Sequence, residues 1–225
     1  MVDQVNEQHV EYGGVPARIH SPENPTGLTF IAPGALVSMD APLIQAIQKA
    51  CEEEGRTVVV ADLGNTPLIT NDPSNVHGNF TKNLQQVIDG YCEDSNYEDN
   101  DFGLIGHSMG GAAVLSLADD YAVSAVTVLD PMPVPSEILQ NIDCPVNVII
   151  SKVRSYRNPG KRMFNELDGY SDQHMLHEVE TSKDMKSGHI FEGQEGEVAK
   201  IIRDYVAPVN KPSGPDVSFD LGEPG

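Results

Sequence analysis

The sequence predicts an α/β protein: a mostly parallel, doubly wound sheet of about eight strands flanked by helices, with no separate lid domain. Three observations predict it. Short β-branched apolar runs alternate with stretches of helical pattern along most of the 225 residues, as successive βαβ units do. Several runs are apolar at nearly every position, such as Thr57-Val58-Val59-Val60-Ala61 and Val146-Asn147-Val148-Ile149-Ile150, which suits strands buried on both faces of a parallel sheet. The segment between Asp130 and Pro145 holds a single short helical pattern, too little for an inserted lid, so the pocket is expected to be open and built from loops.

A short strand near His9–Tyr12 and a strand over Val15–Ser21 read as an opening hairpin. Leu28–Ala32 follows, then a helix over Pro42–Glu54 that Gly55 stops, since glycine tolerates the left-handed backbone at a helix end. Thr57–Ala61 leads to a helix over Asn75–Cys92, and Phe102–Gly106 to a helix over Met109–Asp120. Ala125–Leu129 precedes the short helix Ser136–Asn141; Val146–Ser151 precedes a helix over Gly160–Leu167; and Met175–Val179 precedes the last helix, Glu195–Val206. Pro208–Gly225 is rich in Pro, Gly and Asp and lacks apolar periodicity, so it reads as a flexible tail behind a domain of residues 1–207.

Thirty-four acidic against 14 basic residues give a formal net charge of −20. Such a surface repels nucleic acid and anionic membranes, so neither is expected as a partner. It favours solubility and suits a saline setting. Cys51, Cys92 and Cys144 are scattered and odd in number, which points to buried or half-buried thiols rather than a disulfide framework or metal site. The start of the chain has no basic segment followed by an apolar one, so a cytoplasmic protein is expected, although a secreted chain freed of its signal would look the same. No apolar stretch is long enough to span a membrane.

The chemistry centres on Gly106-His107-Ser108-Met109-Gly110, a G-x-S-x-G motif that closes the run Phe102-Gly103-Leu104-Ile105 and opens the run Gly111–Ala118. Strand, turn and helix in that order are what a nucleophile elbow needs: the turn strains the serine backbone and exposes its hydroxyl above the sheet. The flanking glycines avoid Cβ collisions, and Gly111, Ala112 and Ala113 let the helix lie close to the strand.

A serine hydroxyl needs a base within hydrogen-bond reach, and in this kind of site the chain order is Ser, acid, His. His9, His20, His77 and His107 come too early, and His107, inside the elbow, is expected to point away as a packing residue. His174 and His177 flank or occupy the last strand, where an H-x-x-H spacing puts the rings on opposite faces and makes a metal pair improbable. His189, expected in a loop between the last strand and last helix, is the base. Asp130 ends its strand at the same sheet edge and is the first candidate for the acid. Asp168, Asp172 and Asp184 remain alternatives, the last being a near neighbour of His189 in sequence. The N–H of Met109 and that of Ala35, in Ala32-Pro33-Gly34-Ala35-Leu36, are the expected oxyanion donors; Gly34 is read as permitting an unusual backbone.

Over Val15 to Val206 these residues resemble the α/β-hydrolase superfamily. Pro33-Gly34 and Gly106-His107-Ser108-Met109-Gly110-Gly111 are similar to the lidless dienelactone-hydrolase, chlorophyllase and polyester-hydrolase (cutinase-like) group. The resemblance implies an α/β-hydrolase fold and a Ser-His-Asp esterase using Ser108 and His189, with Ala35 and Met109 as oxyanion donors and no cofactor. Leu129-Asp130-Pro131 is similar to a segment of chlorophyllases. Polyester hydrolases carry the acid after the next strand, where this chain has Val153 and Ser155, and have an aromatic where it has Ala35; this chain contains no tryptophan. The expected reaction is hydrolysis of small or short-chain carboxylic esters, with a small-molecule ester as the partner. Thioester, lactone or amide cleavage, acyl transfer, and non-catalytic ligand binding are the alternatives.

Overall fold

The structure, a computed structural model, describes residues 6–63, 73–95, 102–152, 159–170 and 173–206, with side chains throughout except at 73–76 and 185. The expected tail, Asp172, Val153 and Ser155 lie outside the described residues.

Among the described residues there are eight strands: β1 (Asn6–Tyr12), β2 (Val15–Ser21), β3 (Leu28–Ala32), β4 (Thr57–Ala61), β5 (Phe102–His107), β6 (Val123–Leu129), β7 (Val146–Ser151) and β8 (Met175–Val179). The helices are α1 (Pro42–Glu53), α2 (Pro73–Ser95), α3 (Met109–Leu117), α4 (Ser136–Gln140), α5 (Pro159–Leu167), α6 (Met185–His189) and α7 (Glu195–Val206). One sheet holds all the strands in the order β1-β2-β4-β3-β5-β6-β7-β8. Pairing is antiparallel at β1–β2 and β2–β4 and parallel across the rest.

The winding runs outward from β3 to β4 and then crosses back to β5 on the other side of β3. This reversal leaves a crevice beyond the carboxyl ends of β3 and β5, where ligands enter doubly wound sheets. Alternation along each strand feeds two cores. Phe30, Leu104, Val128 and Val148 face a cluster shared with Phe80 and Leu84 of α2, Val114 of α3 and Met163 of α5. Ile31, Ile105, Leu129 and Ile149 face the opposite cluster, with Ile44 and Ile47 of α1 and Val198 and Ile202 of α7. A fully buried side chain of this kind contributes about 1.5–3 kcal/mol over leaving it in water.

Most elements match their expected spans within a few residues. The hairpin strand β1 begins at Asn6, and α2 extends beyond Asn75–Cys92 at both ends. The elbow helix is shorter than expected, giving way to turns after Leu117. His189 corrects the sequence reading, because it ends a five-residue helix rather than sitting in a loop. Asp184 caps that helix by accepting the Ser187 N–H at 2.8 Å. An Asp-x-x-Ser spacing of this kind is a legible helix start.

Candidate active site

Ser108 stands between β5 and α3 with φ 54° and ψ −114°, a backbone that a non-glycine residue holds only when its surroundings impose it. The surroundings do so. A Cβ on Gly106 would lie 2.4 Å from the Gly110 carbonyl oxygen, and one on Gly110 would lie 2.0 Å from that of Ala32. Neither position can carry a side chain, so α3 closes onto the strand end. The Ser108 N–H donates to the Leu129 carbonyl at 2.8 Å, while its own carbonyl accepts from Met132 at 3.0 Å and Ala112 at 3.2 Å. These bonds fix the backbone on both sides of the hydroxyl.

The hydroxyl meets His189. Nε2 of the imidazole is 2.9 Å from Ser108 Oγ, and Nδ1 is 3.4 Å from Asp130 Oδ2. The carboxylate can only accept, so Nδ1 carries the proton and Nε2 is left to accept the serine hydroxyl. The Asp130 contact is long beside the 2.7–2.9 Å typical of charge-assisted bonds; catalytic hydrogen bonds often tighten only when substrate is bound. The Asp130 side chain is 2% exposed and that of His189 27%, so the carboxylate is shielded while the imidazole is in part exposed.

Asp130 also departs from ordinary backbone, with φ 38°. Its N–H pairs with the Ile149 carbonyl at 2.9 Å, and its Oδ1 accepts the Ser151 N–H at 3.0 Å. The last residue of β7 thus holds the carboxylate at the end of β6. Of the other acids, Asp168 is exposed at the end of α5, and Asp184 is occupied in capping α6, which keeps its carboxyl below the usual range.

Two supports of the base had no signature in the sequence. His107, 1% exposed, donates from Nε2 to the His189 carbonyl at 2.8 Å, with the two rings 4.8 Å apart. It thus reaches both the backbone and the ring of His189. Ser151 Oγ is hydrogen-bonded to Thr181 Oγ1, tying the segment before α6 to β7.

The loop after β3 completes the site. A Cβ on Gly34 would fall 3.0 Å from both Ser108 Cβ and His107 Nδ1. Close approach therefore favours Gly34, and the left-handed backbone falls at Leu36, with φ 62°. Among the described residues no backbone bond uses the Ala35 N–H, and Met109, as the first residue of α3, has no partner for its N–H inside the helix. Arg18, buried on β2, braces this loop from behind: it donates to Asp40 Oδ1 at 2.5 Å, to the Met39 carbonyl at 3.0 Å and to Gln48 Oε1 at 2.9 Å. Leu36 and Met132, 81% and 42% exposed, present apolar side chains on the two loops flanking Ser108.

His174 is buried, and its Nδ1 accepts the Val146 N–H at 3.1 Å; His177 lies on β8. Among the described residues no group of three His, Cys, Asp or Glu side chains is arranged to hold a metal, and no helix is long and apolar enough to cross a membrane. The three cysteines are unbridged. Burial pushes the Cys51 thiol up to about 12 and that of Cys144 up to about 11.

No protein-family model matches the chain, and no curated protein matches it in sequence. Solved structures do resemble it. Dienelactone hydrolase from Anabaena variabilis ATCC 29413 superposes with a TM-score of 0.74 at 20% identity, over 91% of this chain and 97% of that one. Est1E from Butyrivibrio proteoclasticus gives 0.68 at 14% identity, over 88% and 96%. An alpha-beta serine hydrolase homologue from Coxiella burnetii gives 0.67 at 16% identity, over 89% and 96%. At these identities the likeness establishes the fold, and the chain has the α/β-hydrolase fold.

Proposed function

We propose that this α/β-hydrolase-fold protein is a serine esterase that cleaves small carboxylic esters through an acyl-enzyme on Ser108. The observation that carries the reading is the run of contacts from Ser108 Oγ to His189 Nε2 at 2.9 Å and from His189 Nδ1 to Asp130 Oδ2 at 3.4 Å. In the proposed reaction Ser108 attacks the ester carbonyl as Nε2 takes its proton. Asp130 holds the tautomer and stabilises the imidazolium. The N–H groups of Ala35 and Met109 receive the oxyanion. The imidazolium returns its proton to the departing alcohol, and the acyl group stays on Ser108. Water, deprotonated by the same nitrogen, then releases the acid and restores the serine. No cofactor enters this sequence. The neighbours named as hydrolases support the reading by analogy of fold. The absence of an inserted domain between β6 and β7 favours small esters that enter from the open edge.

A fluorophosphonate probe tests this. The wild type should label once, at Ser108, and hydrolyse short-chain p-nitrophenyl esters, while Ser108→Ala should do neither. A wild type that fails to label, or a Ser108→Ala variant that labels equally, ends the proposal.

A further inference from the structure

Among the described residues, Leu36 at φ 62°, Ser108 at 54°, Asp130 at 38° and Phe191 at 53° are the non-glycine residues with a left-handed backbone. All four lie in the segments that form the site. Ser108 and Asp130 supply two of its contacting side chains. Phe191 closes α6 just behind His189: its N–H donates to the Gly188 carbonyl at 3.3 Å, and that of Glu192 to the Ser187 carbonyl at 3.0 Å. Leu36 directly follows Ala35. Such a backbone is unfavourable for a bulky residue and persists only where other contacts offset it.

For three of the four the offset lies inside the protein. Ser108 is bonded through its N–H and its carbonyl, and Asp130 is held by Ile149 and Ser151. Phe191 is fully buried in the core that contains Ile44, Ile47 and Val198. Leu36 has no such compensation. It is the third residue of a turn that the Val37 N–H closes onto the Gly34 carbonyl at 3.1 Å, a position that glycine or asparagine fills without strain. Its side chain is 81% exposed. The neighbouring side chains are used, Ala35 against one core and Val37 and Met39 against the other, but Leu36 joins neither.

Its place indicates what it meets. Gly34 approaches the nucleophile so closely that a Cβ on it would stand 3.0 Å from Ser108 Cβ. The two Cα steps from Gly34 to Leu36 span at most about 7.6 Å, so the leucine lies within reach of the first carbons of a molecule held at Ser108. In the proposed reaction the leaving alcohol stands at His189 Nε2, which returns a proton to it. The acyl group is then left to the loop that carries the oxyanion donor Ala35.

We propose that Leu36 is the acyl-chain contact of the site, and that the substrates are esters of short, uncharged aliphatic acids longer than acetate, such as butyrate and hexanoate. The strained, exposed leucine gains its burial when such a chain lies against it. An anionic acyl group would be repelled by a chain of net charge −20. This rests on the esterase reading, which supplies the reaction and the orientation of the ester.

The test uses the full chain with p-nitrophenyl acetate, butyrate and hexanoate, all below their solubility limits. The readout is kcat/KM for each longer ester relative to acetate, in which effects common to all substrates cancel. In the wild type this ratio should rise about two- to four-fold per methylene buried. Leu36→Asn suits the left-handed backbone and removes the apolar surface. It should bring the ratio close to unity while the melting temperature holds or rises. Leu36→Met should keep most of the ratio, and Met175→Gln, at an exposed methionine on β8, should keep all of it. A ratio that survives Leu36→Asn overturns the proposal. So does a Leu36→Asn variant that melts well below wild type, which would make the leucine structural, or a Leu36-dependent preference that follows the length of the alcohol instead. Ser108→Ala with isotope-labelled leucine and methionine methyl groups reads binding without turnover: ethyl hexanoate should shift the Leu36 methyl resonances saturably and leave Met175 in place. Such shifts beside a wild type that releases no acid would sink the esterase reading alone. Turnover on Ser108 with no dependence on Leu36 would sink the acyl contact alone.

Discussion

The imidazole of His107, one residue before the nucleophile, donates its Nε2 proton to the carbonyl oxygen of His189, 2.8 Å away. The elbow therefore carries Ser108 and also holds the backbone of His189, whose ring faces it. His107→Phe preserves the ring contact and removes the donor, leaving the His189 carbonyl short of a bond worth about 1 kcal/mol net. The expected result is a roughly ten-fold fall in kcat with KM little changed, read from steady-state ester hydrolysis. An unchanged kcat would show that the base keeps its place without this support.

Asp130 Oδ2 meets Nδ1 of His189, whereas the Asp184 carboxylate caps α6. Asp130→Asn keeps the shape and removes the charge that stabilises the imidazolium, so kcat should fall by about a thousand-fold or more. Asp184→Asn retains a side chain that caps a helix as well as aspartate does, and activity should stay within a few-fold of wild type. The reverse ranking would make Asp184 the acid. Parallel kcat/KM measurements on the two variants decide it.

Much of this division was legible beforehand because local chemistry dictates it. The turn at Gly106 to Gly110 admits no Cβ at either end, and a strand that must be buried on both faces, such as Thr57–Ala61, can contain little but apolar residues. Asp130 could be picked from its place at the end of a strand. What stayed hidden depends on contacts distant in sequence. Nothing near Arg18 announces that it braces the loop at Met39 and Asp40. The carbonyl of His189 gives no sign of the ring that reaches it. The helix around His189 escaped because it is only five residues long, too short for a periodic pattern; only its Asp184 cap betrayed it.

Gly188 precedes the base, and a Cβ there would lie 2.8 Å from the Ser182 carbonyl and 3.3 Å from Thr181 Oγ1. The obstruction is backbone in a segment fastened through Thr181 to Ser151, so it cannot swing aside. Gly188→Ala should push α6 outward and carry His189 from Ser108. A drop in kcat/KM of at least about ten-fold is expected, because small misplacements of a base are costly. Fluorophosphonate labelling should slow in parallel. Wild-type kinetics in this variant would show that the segment yields.

Arg18 is 8% exposed and holds the loop that carries Gly34 and Ala35. Arg18→Met removes the cation and strands the Met39 carbonyl and Gln48, at a cost of about 1–3 kcal/mol in stability. The loss should also appear in kcat more than in KM, since in the proposed reaction the Ala35 N–H would serve the oxyanion and not the resting ester. Asp40→Asn, at an exposed partner, should cost far less on both measures. Denaturant unfolding and steady-state kinetics on both variants separate the brace from a surface ion pair.

Acid should weaken the fold through His174. Its Nδ1 accepts the Val146 N–H, so Nε2 carries the proton, and that atom is buried with no hydrogen-bond partner among the described residues. Burial holds the imidazole below its ordinary value, with Asp168 opposing; burial acts in the same direction on His77 and His177. In the unfolded chain a histidine titrates near about 6.5. The folded state thus binds fewer protons over the interval below that value, and stability rises with pH wherever the unfolded state binds more. The contribution is fully present above about pH 6.5 and is lost as pH falls through the lowered folded values. His174→Gln removes one of these groups. It should be less stable than wild type at pH 7.5, having disturbed the bond to Val146, yet lose less on going to pH 5. Urea unfolding across that range measures both slopes, and parallel slopes would remove His174 from the account.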